Sequence, residues 1–90
     1  MTIQLTKAEE QVMRILWKLG EVTVQQTLDC FEKPKPARTT VATVLSILEN
    51  KGFVKHENTG KVNIYTTLLK KEDYSKSQLF DVLKNYFDNS

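Results

Sequence analysis

Thr39-Thr40-Val41-Ala42-Thr43-Val44-Leu45-Ser46-Ile47-Leu48-Glu49-Asn50-Lys51-Gly52 is the stretch on which the fold turns. Val41, Val44, Leu45 and Leu48 recur at the spacing of one helix face, and Gly52 after Lys51 is the stop signal. The spacing predicts a helix that starts near Thr39 or Thr40. At about 100° per residue the opposite face carries Thr39, Thr43, Ser46 and Asn50, with Ala42 and Ile47 on its flanks. That face is small, polar and nearly uncharged, where an ordinary solvated face would carry Lys and Glu. Short hydrogen-bonding side chains let a helix approach another surface closely.

Downstream, Phe53-Val54-Lys55-His56-Glu57 and Val62-Asn63-Ile64-Tyr65-Thr66 read as two strands. Asn58-Thr59-Gly60-Lys61 is expected to connect them as a hairpin, with Lys55 and Lys61 bracketing its tip. Upstream, Lys33-Pro34-Lys35-Pro36 cannot continue a helix, because proline lacks an amide donor and restricts the residue before it. A helix before this basic loop opens at Thr23, where Gln26 completes a capping-box spacing. Val24, Leu28 and Phe31 are its expected buried stripe, with Cys30 packed nearby as a small hydrophobe. The first helix opens in the same way at Thr6, with Glu9 three residues on, and ends at Gly20. Its expected buried face is Val12, Ile15, Leu16 and Leu19, with Trp17 assigned to the core. Between these two helices Glu21-Val22-Thr23 has room only for a brief strand. A last helix is expected from Lys71 to Asp88, apolar at Leu79, Val82, Leu83 and Tyr86 and widened by Tyr74, Phe80 and Phe87. So broad an apolar surface on a terminal helix calls for cover by another chain. The order is helix, short strand, helix, helix, hairpin, helix. It predicts a mainly α fold with a small β hairpin, a winged helix-turn-helix followed by a dimerisation-type helix.

Composition narrows the function. The chain has 90 residues, 40% hydrophobic and 27% charged, ordinary values for a globular domain. A single Cys and a single His exclude an intrachain disulfide framework and a closed four-ligand zinc site. No metal site or cofactor is expected. No apolar run approaches roughly 18 residues and no leader peptide is visible, so the expected location is the cytoplasm, without membrane insertion. No nucleophile–base pair, paired carboxylates or phosphate-cradling glycine loop is present, so no catalytic residue is assigned and no enzyme is expected. The net charge of +2 is uneven: residues 1–32 carry −2, residues 33–61 carry +4, and residues 62–90 balance. A basic middle is an electrostatic footprint for an anionic partner.

The whole chain resembles the penicillinase repressor family of bacterial transcription regulators, the BlaI/MecI/CopY group. Thr6 with Glu9, Val12-Met13-Arg14-Ile15-Leu16-Trp17 and Gly20-Glu21-Val22-Thr23 carry the resemblance at one end. Thr39-Thr40-Val41-Ala42-Thr43-Val44-Leu45, Leu48-Glu49-Asn50-Lys51-Gly52-Phe53-Val54, the wing from Lys55 to Tyr65 and Lys71-Glu72-Asp73-Tyr74 carry it onward. The resemblance implies a homodimeric repressor that binds double-stranded DNA at a palindromic operator. It places the Thr39–Gly52 helix in the major groove and the wing on the backbone or minor groove. It also implies release by a signal such as a membrane sensor-protease. Copper sensing through a C-terminal Cys cluster is not supported, since Cys30 stands alone. Residues 1–69 then form the DNA-binding domain, and residues 70–90 the start of a dimerisation region that in family members runs on through further helices. On that reading the chain is a truncated or shortened member.

On DNA, base reading falls to Arg38, Thr40, Thr43, Ser46, Ile47 and Asn50. Arg reads guanine bidentately, Asn reads adenine, and the methyls of Thr and Ile meet that of thymine. Backbone and wing contacts fall to Lys33, Lys35, Thr39, Lys51, Lys55, Asn58, Thr59 and Lys61. Leu79, Phe80, Val82, Leu83, Tyr86 and Phe87 are the expected dimerisation surface. The principal rival is a winged helix used for protein contact, since fold does not determine function. A ligand-sensing regulator of another family is a further rival, although so short a chain has little room for a pocket outside a dimer interface.

Overall fold

A computed structural model describes residues 3–88; the outer ends of the expected domains, residues 1–2 and 89–90, lie outside the described residues. The elements are α1 (Lys7–Leu19), β1 (Glu21–Val22), α2 (Val24–Asp29), α3 (Arg38–Asn50), β2 (Val54–Thr59), β3 (Val62–Thr67) and α4 (Lys71–Asp88). The three strands form one antiparallel sheet in the order β1-β3-β2. This is a winged helix-turn-helix with an appended helix.

Local chemistry sets most of the boundaries. Thr6 caps α1 and Thr23 caps α2, each closing a reciprocal capping box, with Glu9 and Gln26 respectively. Two orphan amides are satisfied at each start. At the other end of α3, Gly52 adopts φ 84°, which a side chain would strain. Its N–H donates to the Glu49 carbonyl and that of Phe53 to the Leu48 carbonyl, both at 3.0 Å. This is a Schellman closure. It turns the chain directly into β2 and so places the wing beside the helix end.

The core lies between α1, α3 and the sheet. Val12, Met13 and Leu16 of α1 meet Val41, Leu45 and Leu48 of α3, with Val22, Val54, Tyr65 and Leu69 closing it. Three of the expected α3 stripe residues are fully buried, and Val44 packs at the margin.

Several details differ from expectation. α3 begins at Arg38, one residue early, from an extended Ala37 with no side-chain cap. Leu19 is 47% exposed and Met13 is fully buried in its place, because α1 is gripped along the Val12–Met13–Leu16 line. In α2 the fully buried residue is Thr27, while Val24, Leu28 and Phe31 are half-buried. Burial is affordable for Thr27 because its hydroxyl donates to the Thr23 carbonyl at 2.8 Å. Cys30 does not pack inward: α2 ends before it, and the thiol is exposed. Trp17 is half-buried at the edge of the core, its Nε1–H donating to the Leu69 carbonyl at 2.8 Å.

The hairpin is longer than expected. Asn58 and Thr59 belong to β2, leaving only Gly60 and Lys61 as the turn. Gly60 at φ 69° occupies the first central position, as a type II′ connection requires. Lys55 pairs with Thr66 near the base of the wing, so only Lys61 stands at the tip.

Three hydrogen bonds anchor the first half of α4. The Ser77 hydroxyl accepts from the Ile3 N–H at 2.6 Å and the Gln78 amide donates to the Ile3 carbonyl at 2.8 Å. The Tyr74 hydroxyl donates to Glu10 at 2.7 Å. Beyond Gln78 the helix projects from the domain.

Candidate nucleic-acid interface

The outer face of α3 is open along its length. Arg38, Thr39, Thr40, Thr43, Ser46 and Asn50 are exposed, Ile47 is 41% exposed, and Ala42 is half-buried at the flank. Burial of the opposite face against α1 holds this one outward. The Thr43 hydroxyl donates to the Thr39 carbonyl at 2.8 Å. Its hydrogen is thereby used within the helix, leaving an acceptor and a methyl at the surface. Arg38 sits on the first turn and donates to the Gln25 side-chain carbonyl at 3.3 Å, while the Gln25 amide donates to Asp29 at 2.9 Å. The guanidinium at the reading end is therefore oriented from α2. Gln25 carried no signal in the sequence, because the contact spans 13 positions.

The basic residues fall into two groups. Lys33, Lys55 and Lys61 are exposed, and their ammonium groups make no ion pair or hydrogen bond among the described residues. Lys35 and Lys51 are partly committed within the protein. The Lys35 ammonium donates to the carbonyls of Leu28 and Asp29, at 3.3 and 2.9 Å, and so caps the end of α2. The Lys51 ammonium lies 2.8 Å from the Glu9 carboxylate. Glu9 is only 3% exposed. Burial by itself would raise its pKa; the Lys51 hydrogen bond, the Thr6 amide and the Lys51 charge together outweigh that and hold it below the usual carboxylate value. This pair ties the last turn of α3 to the first turn of α1.

A second tie joins α3 to the wing. His56 Nδ1 lies 2.6 and 2.9 Å from the two Glu49 oxygens, and its ring is 5.3 Å from that of Tyr65. Burial, followed by the Glu49 charge, raises the Tyr65 pKa. At the tip, the Asn58 amide donates to Asn63 at 2.8 Å and the Thr59 hydroxyl to the Val62 carbonyl at 3.4 Å. Both residues stay exposed, so they stiffen the tip as well as presenting polar atoms. Helix, wing and reading end are thus cross-braced by side-chain bonds that local sequence could not reveal.

On α4, Leu79, Phe80, Val82, Leu83, Tyr86 and Phe87 are between 45% and 74% exposed. At 100° per residue they fill one continuous arc of about 160°. Lys84 and Asn85 lie outside it. Among the described residues there is no group of three or more His, Cys, Asp or Glu placed to hold a metal, and no helix is long and apolar enough to cross a membrane.

A family model described as penicillinase repressor matches residues 5–90. The penicillinase repressor of Bacillus licheniformis is 25% identical over 88 residues, 97% of this chain and 69% of the relative. An uncharacterised 16.5 kDa protein of Latilactobacillus sakei is 35% identical over 66 residues, 72% of this chain and 45% of its own length. Among solved structures, the DNA-binding domain of the repressor BlaI is similar with a TM-score of 0.69 and 28% identity, covering 82% of this chain and 94% of that one. The monomeric form of Bacillus licheniformis BlaI in complex with the blaP half-operator gives a TM-score of 0.66 at 28% identity, covering 82% and 92%.

Proposed function

The chain belongs to the penicillinase repressor family, and from that premise we propose that it is a sequence-specific DNA-binding repressor that occupies a palindromic operator as a homodimer. The observation that carries this reading is the outer face of α3. It is exposed, lined by hydroxyl and amide groups, and set between the Arg38 end and the basic wing. A surface of short side chains can enter the major groove, and the lysines beside it meet phosphates. The half-operator complex of BlaI, a relative of the same fold, supports DNA as the partner.

Arg38, Thr40, Thr43, Ser46, Ile47 and Asn50 read bases. Lys33, Lys55 and Lys61, with Thr39, Asn58 and Thr59, meet the backbone. Lys35 and Lys51 add charge from positions already anchored to α2 and α1. Few long side chains lie on the reading face, so one module binds weakly. A two-fold partner supplies the rest, with reading helices about 34 Å apart or a multiple of it. The apolar arc of α4 is the surface through which the partner copy joins. The repressor acts in the cytoplasm and is released by a signal, for which a membrane sensor-protease is the class of agent the family suggests.

Selection from a random double-stranded DNA pool at moderate salt tests this. The expected result is enrichment of a palindrome with two half-sites. A lone half-site would refute the dimer. No enrichment by folded protein would overturn the DNA reading in favour of a protein-contact role.

A further inference from the structure

A groove of about 610 Å³ opens where the DNA-binding domain meets α4, lined by Arg14, Trp17, Lys18, Lys71, Tyr74 and Ser75. Its volume lies in the range of small-molecule sites. The two rings are 5.7 Å apart with their planes at 34°. Their polar edges are already used, Trp17 Nε1–H on the Leu69 carbonyl and the Tyr74 hydroxyl on Glu10. What they offer an occupant is π-surface. Around them stand three cations and no lining carboxylate. Glu10 offsets Arg14 through an ion pair at 2.9 Å. The ammonium groups of Lys18 and Lys71 make no ion pair or hydrogen bond among the described residues and remain uncompensated.

We propose that this groove binds a small planar aromatic carboxylate, its ring against Trp17 and Tyr74 and its anionic group toward Lys18 and Lys71. Stacking favours a planar ring against Trp17 and Tyr74, and the two lysines favour an anionic occupant over a neutral or cationic one. The groove also has leverage. Trp17 holds the carbonyl that precedes α4, and Tyr74 lies in the first turn of α4, so an occupant bears on the direction in which α4 leaves the domain. That consequence rests on the dimeric repressor reading, because α4 then sets the spacing of the two reading heads; the binding itself does not.

The chain has a single tryptophan, so its indole N–H gives one resonance in a nitrogen-15 spectrum. Titration with 1-naphthoate is expected to shift that resonance saturably, with 1-naphthamide binding about tenfold more weakly. In a Lys18→Gln/Lys71→Gln variant the two compounds should bind equally, the amide being unaffected. Equal affinities in the parent chain, an unchanged preference in the variant, or shifts centred on Leu83 rather than Trp17 would each overturn the site. In a separate DNA arm, naphthoate should change affinity for a full palindrome and leave half-site affinity alone. An unchanged palindrome affinity with the indole shift intact overturns the coupling to α4. Failure of DNA binding altogether leaves the indole shift standing, so the two readings fail separately.

Discussion

α3 and α4 both turn one face outward, and the two faces differ in kind. α3 buries Val41, Leu45 and Leu48 and shows the solvent threonines, a serine and an asparagine. α4 buries Ser77 and, beyond it, shows leucine, valine, phenylalanine and tyrosine. A helix that presents hydroxyls suits a partner rich in hydrogen-bonding groups and phosphate. A helix that presents apolar area gains by removing it from water, at about 25 cal/mol per Å² buried. An exposed helix face is therefore read by what it would gain on being covered. Two kinds of partner are implied by two helices separated by one small sheet.

Disrupting the apolar arc of α4 should have the greatest consequence. Leu83→Asp should abolish self-association and cost the full palindrome at least a hundredfold in affinity, on the order of the avidity gained by linking two sites. Half-site affinity should not change. Sedimentation beside a DNA titration checks both, and a dimer that survives the substitution would show that the arc is not the interface.

Salt separates the two surfaces next. Raising it from about 50 to 200 mM should weaken half-site binding about a hundredfold if roughly four phosphates are contacted. Self-association through α4, being apolar, should hold or strengthen. A flat salt response of the DNA complex would remove the case for α3 and the wing as a phosphate-contacting surface.

Within the α3 half, Arg38→Ala should cost about 1–3 kcal/mol on a half-site, more than any other single basic change. Lys70→Ala, away from the reading face, is the control in the same titration. Equal losses would mean that the footprint has been drawn in the wrong place.

The smallest effect tests what holds α3 in position. Glu9→Gln removes the buried charge that pairs with Lys51 while keeping an oxygen to accept from the Thr6 amide, as Gln26 does for Thr23, and should lower stability by about 1–2 kcal/mol near neutral pH. The folded pKa of Glu9 is depressed, so its contribution is full above the unfolded value of about 4.3 and is lost as pH falls through the lower folded value. Urea melts of parent and variant should therefore converge on acidification below about pH 4. A gap that persists there would assign the cost to packing rather than to the carboxylate.

Much of this was legible in the sequence. Thr6 with Glu9 and Thr23 with Gln26 announced two helix starts because capping is local chemistry, complete within four residues. The Val41–Leu48 spacing announced both the buried and the open face of α3, since one periodicity determines both. α2 is less legible. Its six residues are too few for a periodicity to distinguish Thr27 from its neighbours, and the hydrogen bond that makes Thr27 buriable is not a matter of hydropathy. Asn58 and Thr59 have turn propensity, so the sequence starts the turn two residues early, yet pairing with Asn63 and Val62 keeps them in the ladder.

Local chemistry announces the starts of α1 and α2, the stop of α3 at Gly52, which face of α3 is open, and the broad apolar surface of α4. These follow from interactions between residues a turn or two apart. Packing between distant segments is what pairs Lys51 with Glu9, sets Glu49 against His56, orients Arg38 from Gln25 and brings Trp17 and Tyr74 together to wall a groove. Those partners are separated by 42, 7, 13 and 57 positions. Such contacts arise only once the buried face of α3 has docked on α1 and the chain has turned at Gly52, because apolar burial specifies which surfaces meet without naming the polar groups it brings together.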